Sequence, residues 1–225
     1  MHARPIAIAI LAALAAACGD APQHGARSSA APLPAPDPGV YRGLFPCEDC
    51  PGIDTTLWLR ADGVFFWRQQ YLDEPGTPAL TTRSFGRWRL DADGTLVLDG
   101  SGPARRLELA GADELLLITL SELEHRLSYA PDAPPFADRI PIAGLMTVDG
   151  SAVALEECRT GLAAPAAGDL RQFLRQYRSL GYRGKPAFVE VEARFEWSDD
   201  GELRAFAVDR FVRIKTNAEC QARLG

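Results

Sequence analysis

From Gly39 to Tyr129 the chain is a succession of short alternating segments separated by turn residues, and this rhythm limits that stretch to sheet. Ile53, Thr55, Leu57 and Leu59 alternate with Asp54, Thr56, Trp58 and Arg60, a period of two that places one set on each face of a strand. Ala61-Asp62-Gly63 follows, a hairpin signal because Asp-Gly tolerates positive φ. Residues 64–71 are rich in aromatic and β-branched side chains and read as the partner strand. Further strands are predicted at 84–90, 95–98, 105–110, 114–119 and 123–129. Residues 39–130 thus read as an antiparallel meander, closed into a β-barrel so that no edge is left open.

Residues 130–139 hold Pro131, Pro134 and Pro135, which cannot donate to a ladder, so 131–139 reads as an exposed interdomain linker. The grammar then changes. Strands are predicted at 140–148 and 151–156, and a single helix at 169–180 from the stripe Leu170, Phe173, Leu174, Tyr177 and Leu180. Asp169 with Gln172 suits a capping box, and Gly181 suits the stop. Residues 186–197 alternate strictly, with Val189, Val191, Ala193, Phe195 and Trp197 on one face and Glu190, Glu192, Arg194 and Glu196 on the other. A last strand follows at 203–214. Strands, one helix and a long hairpin predict an OB-type barrel over 140–225.

The chain opens differently. Residues 6–17 are an apolar run behind a short basic start, too short to span a bilayer and suited to a signal peptide over 1–17. The run ends in Ala15-Ala16-Ala17-Cys18-Gly19, which resembles the bacterial lipobox, although Leu14 stands one place further from the cysteine than usual. Cys18 is therefore the predicted lipidation site; the alternative is a secretory signal cut at an Ala-x-Ala site. Residues 18–38, rich in Ala, Pro, Ser and Gly, read as a tether to the membrane. At 47% hydrophobic and 24% charged residues the rest is ordinary globular material. The net charge of −6 and the glutamate face of the second domain argue against a nucleic-acid partner. No serine–histidine motif or metal-ligand cluster marks an enzyme.

Four cysteines remain, in a compartment that permits disulfides. Three pairings are possible; Cys47–Cys50 and Cys158–Cys220 each stay within one predicted domain, with Cys158–Cys220 as the structural bridge. Cys47-Glu48-Asp49-Cys50 is a CxxC that can be a local disulfide or a soft metal site for copper. Two carboxylates between the sulfurs and a following strand, not a helix, weaken the case for a redox enzyme. A zinc ribbon needs a second CxxC, which is absent.

The run Tyr41-Arg42-Gly43-Leu44-Phe45-Pro46-Cys47-Glu48-Asp49-Cys50-Pro51-Gly52-Ile53-Asp54-Thr55 resembles the signature of the NlpE family of bacterial envelope lipoproteins. Gly86 and Trp88 continue the likeness, and Glu157-Cys158-Arg159-Thr160-Gly161, 208–211 and Cys220 resemble that family's second domain. The resemblance implies a lipocalin-like first barrel followed by an OB-type domain. It implies a lipoprotein, lipidated at Cys18, on the periplasmic side of the outer membrane. Such a protein would sense surface adhesion, lipoprotein trafficking or disulfide status and signal to an envelope two-component sensor kinase, with periplasmic disulfide-forming machinery as a further partner. The family also carries the name copper resistance protein, which implies copper at Cys47 and Cys50. A third expectation is a carrier that holds a small apolar ligand in the first barrel.

Overall fold

A computed structural model describes residues 35–74, 76–111, 113–120, 123–182, 184–215 and 219–220; the leader, Cys18 and most of the tether lie outside the described residues. The alternating segments become strands that pair with their sequence neighbours. β1 (Gly39–Phe45), β2 (Ile53–Leu59), β3 (Val64–Glu74), β4 (Thr77–Leu90), β5 (Leu96–Gly100), β6 (Arg105–Gly111), β7 (Glu114–Leu117) and β8 (Arg126–Tyr129) run up and down in that order. Tyr41 opposite Tyr129 and Arg42 opposite Ser128 close β1 onto β8. This is the eight-stranded closed meander of a lipocalin-like barrel. Inward positions supply its core: Tyr41, Phe45, Leu57, Leu59, Phe65, Trp67, Leu96, Leu98, Leu107, Leu115 and Leu127. The Tyr41 hydroxyl donates to the Asp37 carbonyl at 2.8 Å and ties the entering chain to the barrel. Burial first, then the nearby Asp37 charge, pushes that phenol up to about 12.

The second barrel is built from β9 (Ile140–Asp149), β10 (Ala152–Glu157), β11 (Ala163–Gly168), α1 (Arg171–Ser179), β12 (Ala187–Trp197) and β13 (Leu203–Lys215). Its order β10-β11-β13-β12-β9 closes on itself, with β11 parallel to β13 and every other pair antiparallel. With the helix between its third and fourth strands, this is OB-type topology. The chain is mainly β, with one helix. The alternation of β12 sorts as the sequence predicts: Val189, Val191, Ala193 and Phe195 are buried, while Glu190 and Glu192 pair with Arg213 and Arg210 of β13.

Three sequence expectations change. The helix begins at Arg171, and Leu170 caps it without a side-chain bond, so no capping box forms. Asp169 turns instead to Arg171, whose Nε donates to its carboxylate at 3.0 Å. The C-terminus follows expectation: Gly181 at φ +72 donates to Arg178, and Tyr182 donates back to Tyr177. Secondly, β11 is a strand made largely of alanine around Pro165, a composition with no alternation to announce it. Gly168 must be glycine, because a Cβ there would stand 2.3 Å from the Val208 carbonyl oxygen. Thirdly, the proline-rich segment between the barrels keeps Pro131, Pro134 and Pro135 exposed, as expected, but is pinned at Phe136. Phe136 is buried, its carbonyl accepts from Trp197 Nε1 at 2.9 Å, and Asp138 pairs with Arg68 and Arg83.

Candidate functional site

The four loops at one end of the first barrel include the CxxC. Cys47 and Cys50 lie between β1 and β2, joined as a disulfide with Cα atoms 5.3 Å apart. Both are half-buried, whereas Glu48 and Asp49 between them face solvent. Phe45 anchors the loop from below, 6.1 Å from the Trp67 ring and 4.9 Å from that of His125. The His125 Nδ1 is 2.9 Å from the Leu123 carbonyl. Among the described residues no group of three or more His, Cys, Asp or Glu side chains could hold a metal. The donor set therefore does not fit copper in this oxidised form: the two sulfurs are bonded to each other and offer no thiolate.

Cys158 and Cys220 form the second disulfide, closing 62 positions of chain. Cys158 opens a tight turn after β10, and the turn is organised by Glu157. That carboxylate is buried, and it accepts from the Arg159 and Thr160 amides at 2.9 and 2.7 Å and from the Thr160 hydroxyl at 2.6 Å. Three donors satisfy a charge that burial would otherwise penalise heavily. The same turn touches the first barrel. Arg159 Nη1 donates to the Gly100 carbonyl at 3.0 Å, and Arg87 donates to the Thr160 carbonyl. Beside it is a cleft of about 390 Å³, lined by Phe85 and Arg83 of the first barrel and by Ile142, Phe188 and Val191 of the second. Cys158 and Cys220 stand in its wall.

Between the barrels lies an aromatic junction that sequence reasoning missed. Phe66 is fully buried and lies 4.9 Å from both Phe136 and Phe195, 5.6 Å from Trp197 and 5.4 Å from Trp58, centroid to centroid. Phe85 stacks on it at 5.9 Å. Arg60 lies 4.3 Å over the Trp197 ring and donates to the Gly201 carbonyl at 2.6 Å. A signal was present: in Phe65-Phe66-Trp67 a strand must turn the middle residue away from its own core, and a large outward aromatic needs another partner. The structure thus brings Cys47 to Cys50 and Cys158 to Cys220, keeps the two pairs in separate barrels, and places Cys158 where the barrels meet.

Comparison with known proteins gives this geometry a context. The model of the NlpE N-terminal domain matches residues 41–126. The chain is 25% identical over 195 residues to Lipoprotein NlpE of Escherichia coli, a match spanning 83% of this chain and 82% of that protein. It is 41% identical over 61 residues to the 17 kDa lipoprotein of Treponema pallidum, spanning 27% of this chain and 38% of that one. Among solved structures, the Cpx pathway activator NlpE from Escherichia coli matches at 26% identity, covering 82% of this chain and 98% of that chain with a TM-score of 0.36. A putative lipoprotein from Shewanella oneidensis matches at 30% identity over 41% of this chain and 87% of that chain, with a TM-score of 0.33.

Proposed function

From its likeness to the NlpE family, we propose that this chain is a non-enzymatic lipoprotein, anchored through Cys18 in the outer membrane and facing the periplasm, that signals envelope stress. The relative it matches over most of its length is described as the Cpx pathway activator, and an envelope sensor kinase is the partner this reading assigns. The observation that carries the reading is the position of Cys158: the disulfide is built into the turn that docks one barrel on the other. In the oxidised protein Cys220 clasps that turn. When disulfide formation fails, the clasp is lost, and the contacts of Arg159 with Gly100 and of Arg87 with Thr160 lose their support. The Phe66 junction then opens and offers aromatic surface to a partner. The Cys47–Cys50 bridge closes only a tiny loop away from this junction and serves the local shape of the barrel mouth. The test is overproduction of the chain in Escherichia coli lacking its own NlpE, with a Cpx-responsive promoter as readout. The reporter rises if the reading is right; an unchanged reporter at confirmed expression sinks it.

A further inference from the structure

Five of the seven large aliphatic side chains exposed among the described residues gather at the CxxC end of the first barrel: Leu44, Leu80, Ile118, Leu120 and Leu123. They belong to the end of β1, the start of β4 and the connection between β7 and β8. The strand registers set them level with one another. Phe45, Ile53, Tyr71 and Leu80 form one cross-strand row, and Leu44 stands one place before Phe45. Exposed aliphatics scattered singly mean little, but a cluster at one rim marks a surface that something covers. The interior below is packed with the barrel's own core side chains, so the cover comes from outside. Just outside the rim is a groove of about 400 Å³, with Leu44, Leu72 and Pro78 as its apolar lining and Arg42, Asp54 and Gln70 along it. The Leu72 amide donates to the Gly52 carbonyl at 3.1 Å and holds the β3–β4 hairpin against the CxxC loop.

Charge says what covers it. The two loops thus joined carry Glu48 and Asp49 on one side and Asp73 and Glu74 on the other, all four exposed and none in an ion pair or side-chain hydrogen bond among the described residues. The cations of this end are already engaged. Arg42 is held by Asp54, Arg126 by Glu114 and Glu124, and Arg105 lies over the Trp67 ring. Elsewhere carboxylates such as Glu192 and Asp209 are answered by arginines of the same barrel, so the four at this rim stand out as charges the chain itself does not balance.

We propose that this rim is a docking surface for a protein segment in which aliphatic side chains alternate with Lys or Arg: the aliphatic groups cover Leu44 and Leu80 and enter the groove over Leu72, and the cations answer Glu48, Asp49, Asp73 and Glu74. The charge selects this occupant over the others an aliphatic rim could take. A second copy docking by the same rim brings like carboxylates face to face, and an anionic lipid surface repels them. Basic groups around an apolar centre match the rim in both respects. Phe66 lies near the start of β3 and Glu74 at its end, about 25 Å apart along an extended strand. The rim is therefore exposed while the barrels stay docked, and the proposal does not rest on the signalling reading or on opening of the junction.

The test is isothermal titration of the full chain carrying Cys18→Ser with the peptide Leu-Lys-Leu-Lys-Leu-Lys-Leu and two counterparts, one with serine for leucine and one with glutamate for lysine. One Leu-Lys peptide binds per chain, more weakly as salt is raised, and each counterpart binds at least roughly 10-fold more weakly. Leu44→Ser with Leu80→Ser weakens the Leu-Lys peptide by roughly 10-fold, and so does Glu48→Gln, Asp49→Asn, Asp73→Asn with Glu74→Gln, which also removes most of the salt dependence. Both variants change exposed positions only and leave the Tm unchanged. No binding of the Leu-Lys peptide, equal binding of either counterpart, or unchanged binding by either variant overturns the proposal. So does self-association of the chain, or its adsorption to vesicles of phosphatidylethanolamine and phosphatidylglycerol, that Leu44→Ser with Leu80→Ser abolishes.

Discussion

Replacing both Cys158 and Cys220 by serine removes a cross-link that spans 62 positions. On the chain-entropy account, closing a loop of that length is worth about 4 kcal/mol. The two barrels share one packed junction and fall within one compact unit, so the loss is felt by a body of some 190 residues. For a body of that size each kcal/mol moves the midpoint by roughly 2–4 °C, so Tm falls by roughly 8–16 °C. The Cys47–Cys50 bridge spans only three positions, worth about 2 kcal/mol at most, and the Cys47→Ser, Cys50→Ser protein loses correspondingly less. Calorimetric melts of the three proteins, without reductant and each with Cys18→Ser, make the comparison. A larger loss for the Cys47/Cys50 variant refutes the assignment of Cys158–Cys220 as the structural clasp. Mass mapping that joins Cys47 or Cys50 to Cys158 or Cys220 refutes it as well.

Phe66→Ala removes the centre of the aromatic junction and costs about 3–5 kcal/mol, and it splits one melting transition into two as the barrels uncouple; a single, unshifted transition contradicts the junction's role. Asp209 is held below the usual carboxylate range by hydrogen bonds from Arg194 and Arg139. A depressed carboxylate stabilises above its unfolded pKa and loses that contribution as pH falls through its folded pKa, so Asp209→Asn lowers Tm at pH 7 but not at pH 2. An equal penalty at both pH values, measured by circular dichroism, contradicts the ion-pair account. Copper added to the oxidised protein finds no thiolate and does not bind at Cys47 and Cys50, whereas the reduced protein offers two; copper binding at these residues in the oxidised protein refutes this reading of the CxxC.

The strand rhythm was legible because each barrel wall has one buried and one exposed face, and period-two alternation records that directly at 53–59 and in β12. β11 was not legible: five small residues and a proline carry no amphipathic record, and its place comes from parallel pairing with β13, a contact remote in sequence. The helix was visible from its stripe, but Asp169 turned its carboxylate to the guanidinium and amide of Arg171, so the box with Gln172 does not form. Proline content suggested an exposed linker, yet composition does not register that Phe136 has Phe66 to stack on. The CxxC and its neighbours were readable as a motif.

The claim that the disulfide at the junction reports envelope stress is tested most directly by the Cpx-responsive reporter in cells. The Cys158→Ser, Cys220→Ser protein, at the same level as the unmutated chain, is predicted to drive the reporter higher, while Cys47→Ser, Cys50→Ser leaves it at the unmutated level. A reporter that stays level when Cys158 and Cys220 are lost, or that rises only with loss of Cys47 and Cys50, contradicts the account.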